Sequence, residues 1–215
     1  MNRAAPSRSD QANSKTARTD TARVWQWNCR GYRRKRGALT QFLAAQEQQP
    51  DDIALQEAGC VPSLSGYIAF CQETTSEEEK PRVSTLVSKH ISVIERSLET
   101  SIPYVFLELL PRKRGHCSLF LLNVYSSPSK SKDTLNLLRD ALRIACPKDN
   151  NLLIVGDFNA THTTLGYAKD SAKGRKLMDA IEVYRLTLLN EPDQPTRIGN
   201  SLSHDTCPDL TLSPI

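Results

Sequence analysis

The 215-residue chain has no long uninterrupted apolar run. Its longest aliphatic stretch, Leu119 to Val124, is broken by Asn123 and falls far short of the ~18 residues that cross a bilayer. A membrane-spanning protein is therefore excluded. There is no Cys-x-x-Cys pair: Cys29, Cys60, Cys71, Cys117, Cys146 and Cys207 are dispersed, several on strand-like runs. They read as reduced, buried, small apolar residues rather than as disulfides. No glycine-rich phosphate loop of either common type occurs, and no internal repeat. Met1 to Arg23 lacks the apolar segment of a secretory signal and the amphipathic periodicity of a transit peptide, so an intracellular chain with a disordered leader is expected.

What is present suffices for one folded domain. Hydrophobic residues make up 39% of the chain, too many for wholesale disorder. The net charge of +4 invites a nucleic-acid reading, but residues 1–23 alone carry +3 of it. The remaining body, residues 24–215, is nearly neutral. Any partner is therefore marked by particular residues rather than by bulk charge.

Short β-prone runs fall at Val24–Cys29, Ile53–Glu57, Tyr67–Cys71, Val83–Ser88, Ile91–Ile94, Tyr104–Leu109, Cys117–Tyr125, Leu152–Val155, Leu186–Asn190 and Asp209–Leu212. Helical spacing marks Gly37–Gln48, a stretch after Ser129 that stops before Pro147, and Gly174–Tyr184. Cys117–Tyr125, apolar on both faces over most of its length, reads as a central strand. Glu77 to Pro81 reads as a solvated acidic loop, and Arg112-Lys113-Arg114 as a hairpin turn. Strands outnumber helices and do not alternate regularly with them. The pattern predicts a mixed α/β domain with more than one sheet and helices outside.

Several apolar strands end in a polar residue suited to phosphate or metal chemistry. Asn28 closes the first, Glu57 the second and Tyr125 the central one, while Asp157 and Asn159 follow Leu152 to Gly156. Ligands of α/β sheets collect where strands end and loops leave. A period of two puts Asp157 and Asn159 on one face, with Phe158 turned inward. Such a set is rich in oxygen and poor in charge, which suits Mg²⁺ or Mn²⁺ completed by water and substrate phosphate. Each residue alone also fits a bland reading, as a solvated edge or a turn. Arg30, Arg33, Arg34, Lys35 and Arg36 form a basic cluster before the first helix, a placement that opposes the helix dipole but suits a phosphate backbone.

Trp27-Asn28-Cys29-Arg30-Gly31, Leu55-Gln56-Glu57, Asn123 to Pro128 and Gly156-Asp157-Phe158-Asn159-Ala160 occur in that order. His162 to Gly166, Gln194-Pro195-Thr196-Arg197 and Pro208 to Leu212 follow. Together they resemble the endonuclease/exonuclease/phosphatase superfamily, and within it the apurinic-endonuclease-like domain of non-LTR retrotransposon polyproteins, particularly those of arthropods. The resemblance implies a four-layer α/β/β/α sandwich of two mixed sheets, like that of DNase I. It implies a divalent-metal phosphodiesterase that nicks target DNA, is linked to a reverse transcriptase in intact relatives, and is nuclear when functional. Carried over by motif, Glu57 is the metal ligand, with Asn28 beside it or on the phosphate side. Asp157 orients and deprotonates water, and Asn159 and Tyr125 hold phosphate oxygens. Arg30, Arg33 and Arg34 of the basic cluster, together with Thr196 and Arg197, are expected to face DNA, with a solvated basic loop as the other reading of the cluster. Leu165 stands where relatives often carry an aromatic, which leaves a base-stacking role there unsupported.

The family pattern closes with a further strand carrying Ser-Asp-His, and that element is expected to be missing here. Ser203-His204-Asp205 differs in order and lies upstream of Asp209. Asp209 matches the family acid that pairs with the histidine. Without that strand a marginal fold is expected, and without its histidine a severe loss of rate. Two other readings stay open: another phosphodiesterase or phosphatase of the superfamily, and a non-catalytic, nucleic-acid-binding remnant.

Overall fold

In the computed structural model, residues 21–76, 78–113, 115–128, 131–145, 151–191, 194–198 and 205–214 are described. Most of the expected leader, Glu77, Arg114, Cys146 and Ser203-His204 lie outside them. Strand β1 (Val24–Asn28) runs parallel to β2 (Asp52–Gln56), which pairs antiparallel with β4 (Val83–Ser88), and β4 with β3 (Tyr67–Cys71). The second sheet has the order β5 (Val93–Glu95), β6 (Tyr104–Leu109), β7 (Leu119–Tyr125), β8 (Asn151–Asp157), β10 (Asp209–Pro214), β9 (Leu186–Leu188). Only β7 and β8 are parallel there, with Tyr125 in register with Asp157. Helix α1 (Tyr32–Ala44) covers the first sheet, and α2 (Ser131–Ala145) and α3 (Ala172–Val183) cover the second.

Period-two alternation builds the layers. In β2, Ile53 and Leu55 pack outward with Leu39 and Leu43 of α1, while Ala54 faces the second sheet with Val83, Leu107, Leu121 and Val155. Leu137, Leu138 and Leu177 of α2 and α3 close the other side over Phe106, Leu122 and Ile154. The result is the four-layer α/β/β/α sandwich, with β7 in the interior of its sheet. β1 pairs with β2 alone among the described residues. Within the same set, no helix is long and apolar enough to cross a membrane.

Two local expectations need correction, and a third holds. Helix α1 starts at Tyr32, not Gly37, so Arg33 to Arg36 lie in its first turns rather than in a loop before it. No side chain caps this start. Instead Gly31 N–H donates to Glu57 O at 2.8 Å and Tyr32 N–H to Ala58 O at 3.0 Å. Tertiary acceptors satisfy the free amides, so the local rules of capping and charge misplace the boundary. The cysteines are all free among the described residues, but only Cys29 and Cys207 are buried, and Cys117 is exposed. The Arg112–Lys113 turn does join β6 to β7. It sits at the start of a seven-residue strand whose far end is Tyr125, roughly 20 Å away, and Arg112 lies 3.8 Å from Asp51.

Asp52 is fully buried on the inter-sheet side of β2, and both its carboxylate oxygens lack a hydrogen-bond partner among the described residues. Burial, reinforced by Asp51, pushes its pKa up to about 7 from an ordinary 3.8. The folded state therefore keeps a proton that the unfolded chain releases, and stability falls as pH rises between those values. The fall is on the order of 4 kcal/mol in total. Asp52→Asn is expected to flatten it. Urea unfolding at pH 4.5 and 7.5 checks this, and an unchanged slope would refute it.

Candidate active site

Five strands from both sheets, β1, β2, β7, β8 and β10, deliver polar side chains to one end of the sandwich. The anchor is Asn28, the last residue of β1. Its Nδ2 donates to Glu57 Oε1 at 3.1 Å and to Asp157 Oδ2 at 2.8 Å. One amide thus holds together a carboxylate of each sheet. Cys29 N–H donates to Gln56 O, which keeps the β1 and β2 ends level.

Asp157 closes β8 and is buried. Burial is the main cause that raises its pKa, with Glu57 adding to the rise. Asn28 and the backbone and side chain of Asn159 oppose it by stabilising the ionised form. Gly156 is required just before it. A Cβ there would lie 2.1 Å from Val124 O, so only glycine lets the parallel strands close up at this point.

Asn159 reaches the site by a different route from the one period two suggests. Strand β8 ends at Asp157, and Asn159 has φ 47 in the left-handed region, its N–H bonded to Asp157 Oδ1 at 3.1 Å. Phe158 is fully buried, as expected. Glu57 (φ 52) and Arg30 (φ 44) are likewise left-handed. Such backbones cost about 1–3 kcal/mol each in residues other than glycine, and they cluster where function over-determines them.

Asp209 faces Asp157 directly across the β8–β10 ladder. Burial and the Asp157 charge push its pKa up to about 6, and Oδ1 is buried without a partner among the described residues. Its N–H donates to Thr196 Oγ1 at 3.3 Å, and Arg30 lies near enough to favour its ionised form. Tyr125 feels both Glu57 and Asp157, although burial is the main cause of its raised pKa. Arg33, Arg34 and Arg197 are exposed, the first two on the opening turn of α1. The structure therefore gathers Asn28, Glu57, Tyr125, Asp157, Asn159, Asp209, Thr196 and Arg30, and leaves the other three at the periphery. Leu165 is buried in the core and offers no face to a base.

Two features escaped the sequence reading. Arg82, at the foot of the acidic loop, sets its guanidinium 5.6 Å from the Tyr125 ring centroid, while its carbonyl accepts from Ala58 N–H. Asn123 links the sheets: Gln56 Nε2 donates to its Oδ1 at 2.6 Å, and its Nδ2 donates to Ser84 O at 3.1 Å and Thr85 Oγ1 at 3.2 Å. A buried asparagine inside Leu-Leu-Asn-Val was the signal available for the second. Arg82 had none.

The donor set fits a hard cation held by few protein ligands. Asn28 Oδ1 and Asp209 Oδ1 are buried oxygens without partners among the described residues, beside two carboxylates. Among the described residues no group of three or more His, Cys, Asp or Glu forms a cage. Mg²⁺ needs only one or two carboxylates and keeps its waters.

Residues 119–214 match the family described as endonuclease-reverse transcriptase. A search of curated proteins finds no match. Among solved structures, the endonuclease domain of TRAS1, a telomere-specific non-LTR retrotransposon, is 24% identical over 90% of this chain and 85% of that one, with a TM-score of 0.70. An AP endonuclease from Leishmania major is 13% identical over 90% and 79%, with a TM-score of 0.68. A mannosyl-6-phosphatase from Bacteroides thetaiotaomicron is 10% identical over 90% and 85%, with a TM-score of 0.63. These likenesses establish the DNase I-like fold. The family match, over residues 119–214, takes in Tyr125, Asp157, Asn159 and Asp209 and leaves Asn28 and Glu57 outside it.

Proposed function

We propose that this chain is a Mg²⁺-dependent endonuclease that nicks duplex DNA, as the endonuclease portion of a retrotransposon polyprotein acting in the nucleus. One observation carries the reading: a single amide, Asn28 Nδ2, brings Glu57 and Asp157 from separate sheets to one point. Glu57, with Asn28 Oδ1 beside it, would hold the ion. Bound there, Mg²⁺ or Mn²⁺ supplies positive charge to the scissile phosphate and the leaving oxygen. Asp157 orients a water and takes its proton, a role its Asn28 and Asn159 hydrogen bonds support by fixing the carboxylate plane. The Asn159 amide and the Tyr125 hydroxyl donate to phosphate oxygens as charge builds on them. Arg82 and Arg30 flank them, and Arg33, Arg34, Thr196 and Arg197 extend the contact along the DNA backbone.

A second reading, binding of metal and DNA without turnover, is favoured by Asp209. Its buried Oδ1 has no partner among the described residues, so the acid has nothing there to hold its charge in place. A plasmid-nicking assay on the full chain separates the two. Nicking that requires Mg²⁺ and stops with chelator supports the enzyme, whereas Mg²⁺ binding without nicking supports the second reading. In the first case Glu57→Gln is expected to raise the Mg²⁺ concentration for half-maximal nicking by at least about tenfold, as loss of a ligand charge does.

A further inference from the structure

Lys173 lies near the start of α3 and is only 6% exposed. Its Nζ donates to Ser126 O at 2.9 Å, Ser126 Oγ at 2.7 Å and Ser127 O at 2.7 Å, and also to Phe158 O. Three of these acceptors are main-chain carbonyls just beyond the ends of β7 and β8. Carbonyls buried past the end of a parallel ladder need a donor, and here one ammonium serves both strands. Ser126 and Ser127 follow Tyr125 directly, and Phe158 stands between Asp157 and Asn159. Ser126 N–H also donates to Asp157 O at 2.9 Å, and Ser126 Oγ meets Thr134 Oγ1 of α2 at 2.6 Å.

The helix is built to reach this spot. Ser171 caps it, its Oγ accepting from Gly174 N–H at 2.8 Å. A Cβ on Gly174 would lie 1.9 Å from Thr161 O, so glycine lets α3 rest directly on the chain leaving β8. That close approach brings Lys173 beneath the strand ends. No part of the proposed hydrolysis uses it. Burial holds its pKa down at about 8, with Asp157 opposing the fall.

We propose that Lys173 is a positioning residue for the hydrolytic site. Its ammonium locks the Phe158–Asn159 peptide to the Tyr125–Ser127 turn, so that the phosphate-facing groups of β7 and β8 keep one spacing. The role rests on the nuclease reading, but the lock itself is measurable without turnover. The test uses the full chain with K173M and K173R, read by amide hydrogen exchange and by Mg²⁺-dependent nicking.

K173M is expected to unfold about 10 °C earlier. Exchange protection at Ser126, Ser127, Phe158 and Asn159 falls at least roughly tenfold beyond the global change. Its kcat falls about 30–100-fold, as misplacement of reacting groups by an ångström does, while half-saturation by Mg²⁺ stays within about threefold. K173R keeps the charge with a different reach and is expected to show the same signature at about fivefold. Unchanged local protection and kcat in both variants overturn the proposal, as does loss of Mg²⁺ affinity in step with kcat. If K173M does not fold, K173R decides by the same criteria. A wild type that never nicks sinks the nuclease reading alone, and selective loss of protection still decides whether Lys173 sets the two strand ends.

Discussion

Asp157→Ala is expected to lower Mg²⁺-dependent nicking by at least about 10³-fold while the chain stays folded. A general base contributes roughly 10²–10⁴-fold, and this one also anchors Asn159 through its backbone N–H. The fold survives because Asp157 is not a net source of stability. Burial raises its pKa, so the site holds its charge at a cost that the asparagine hydrogen bonds only partly offset. Asp209, directly opposite, is relieved of a like-charged neighbour. Asp157→Asn keeps the shape without the base and should match alanine within about tenfold if proton transfer dominates. Single-turnover nicking, beside urea unfolding of the same samples, measures both quantities. Residual activity within tenfold of wild type in the alanine variant would remove Asp157 from the chemistry.

Asn123→Leu is expected to be the most destabilising of these substitutions, by about 3–5 kcal/mol. Leucine has the same number and branching of side-chain heavy atoms, so the loss comes mainly from hydrogen bonds, with some overpacking from its bulkier methyl groups. Asn123 is fully buried, and the change strips partners from Gln56 Nε2 and Thr85 Oγ1 where no water reaches. Gln56 Oε1 already lacks a partner among the described residues, so the change would leave its side chain without one there. The same change should weaken Mg²⁺ half-saturation, because Gln56 directly precedes Glu57 and ties that end of β2 to the second sheet. Adding Gln56→Leu should restore part of the stability, since removing both polar partners costs less than orphaning one. Urea midpoints for the two single variants and the double variant test this. Additive losses in the double variant would show that the bridge carries no coupling.

Strands were the most legible part of the fold. Tyr67–Cys71, Val83–Ser88 and Tyr104–Leu109 lie where the β-prone runs put them, because side-chain alternation and the flanking breakers are local signals. The start of α1 was not legible. Its first amides are satisfied by Glu57 O and Ala58 O, some 25 residues further along the chain, and nothing near Gly31 announces it. Asn159 was expected near Asp157, but for a different reason: a left-handed turn closed by the Asp157 carboxylate brings it there, not strand alternation.

From the sequence alone came the elements, the inward and outward faces of most strands, and the list of polar residues at strand ends, since each depends on a few neighbouring side chains. The order of strands in two sheets, the meeting of Glu57 and Asp157 on one Asn28 amide, and the setting of Lys173 beneath them came only with the tertiary structure. Those contacts join residues up to 129 positions apart, as Asn28 to Asp157 does. Long-range pairing is decided by which buried donors and acceptors can all be satisfied at once, and no local pattern encodes that.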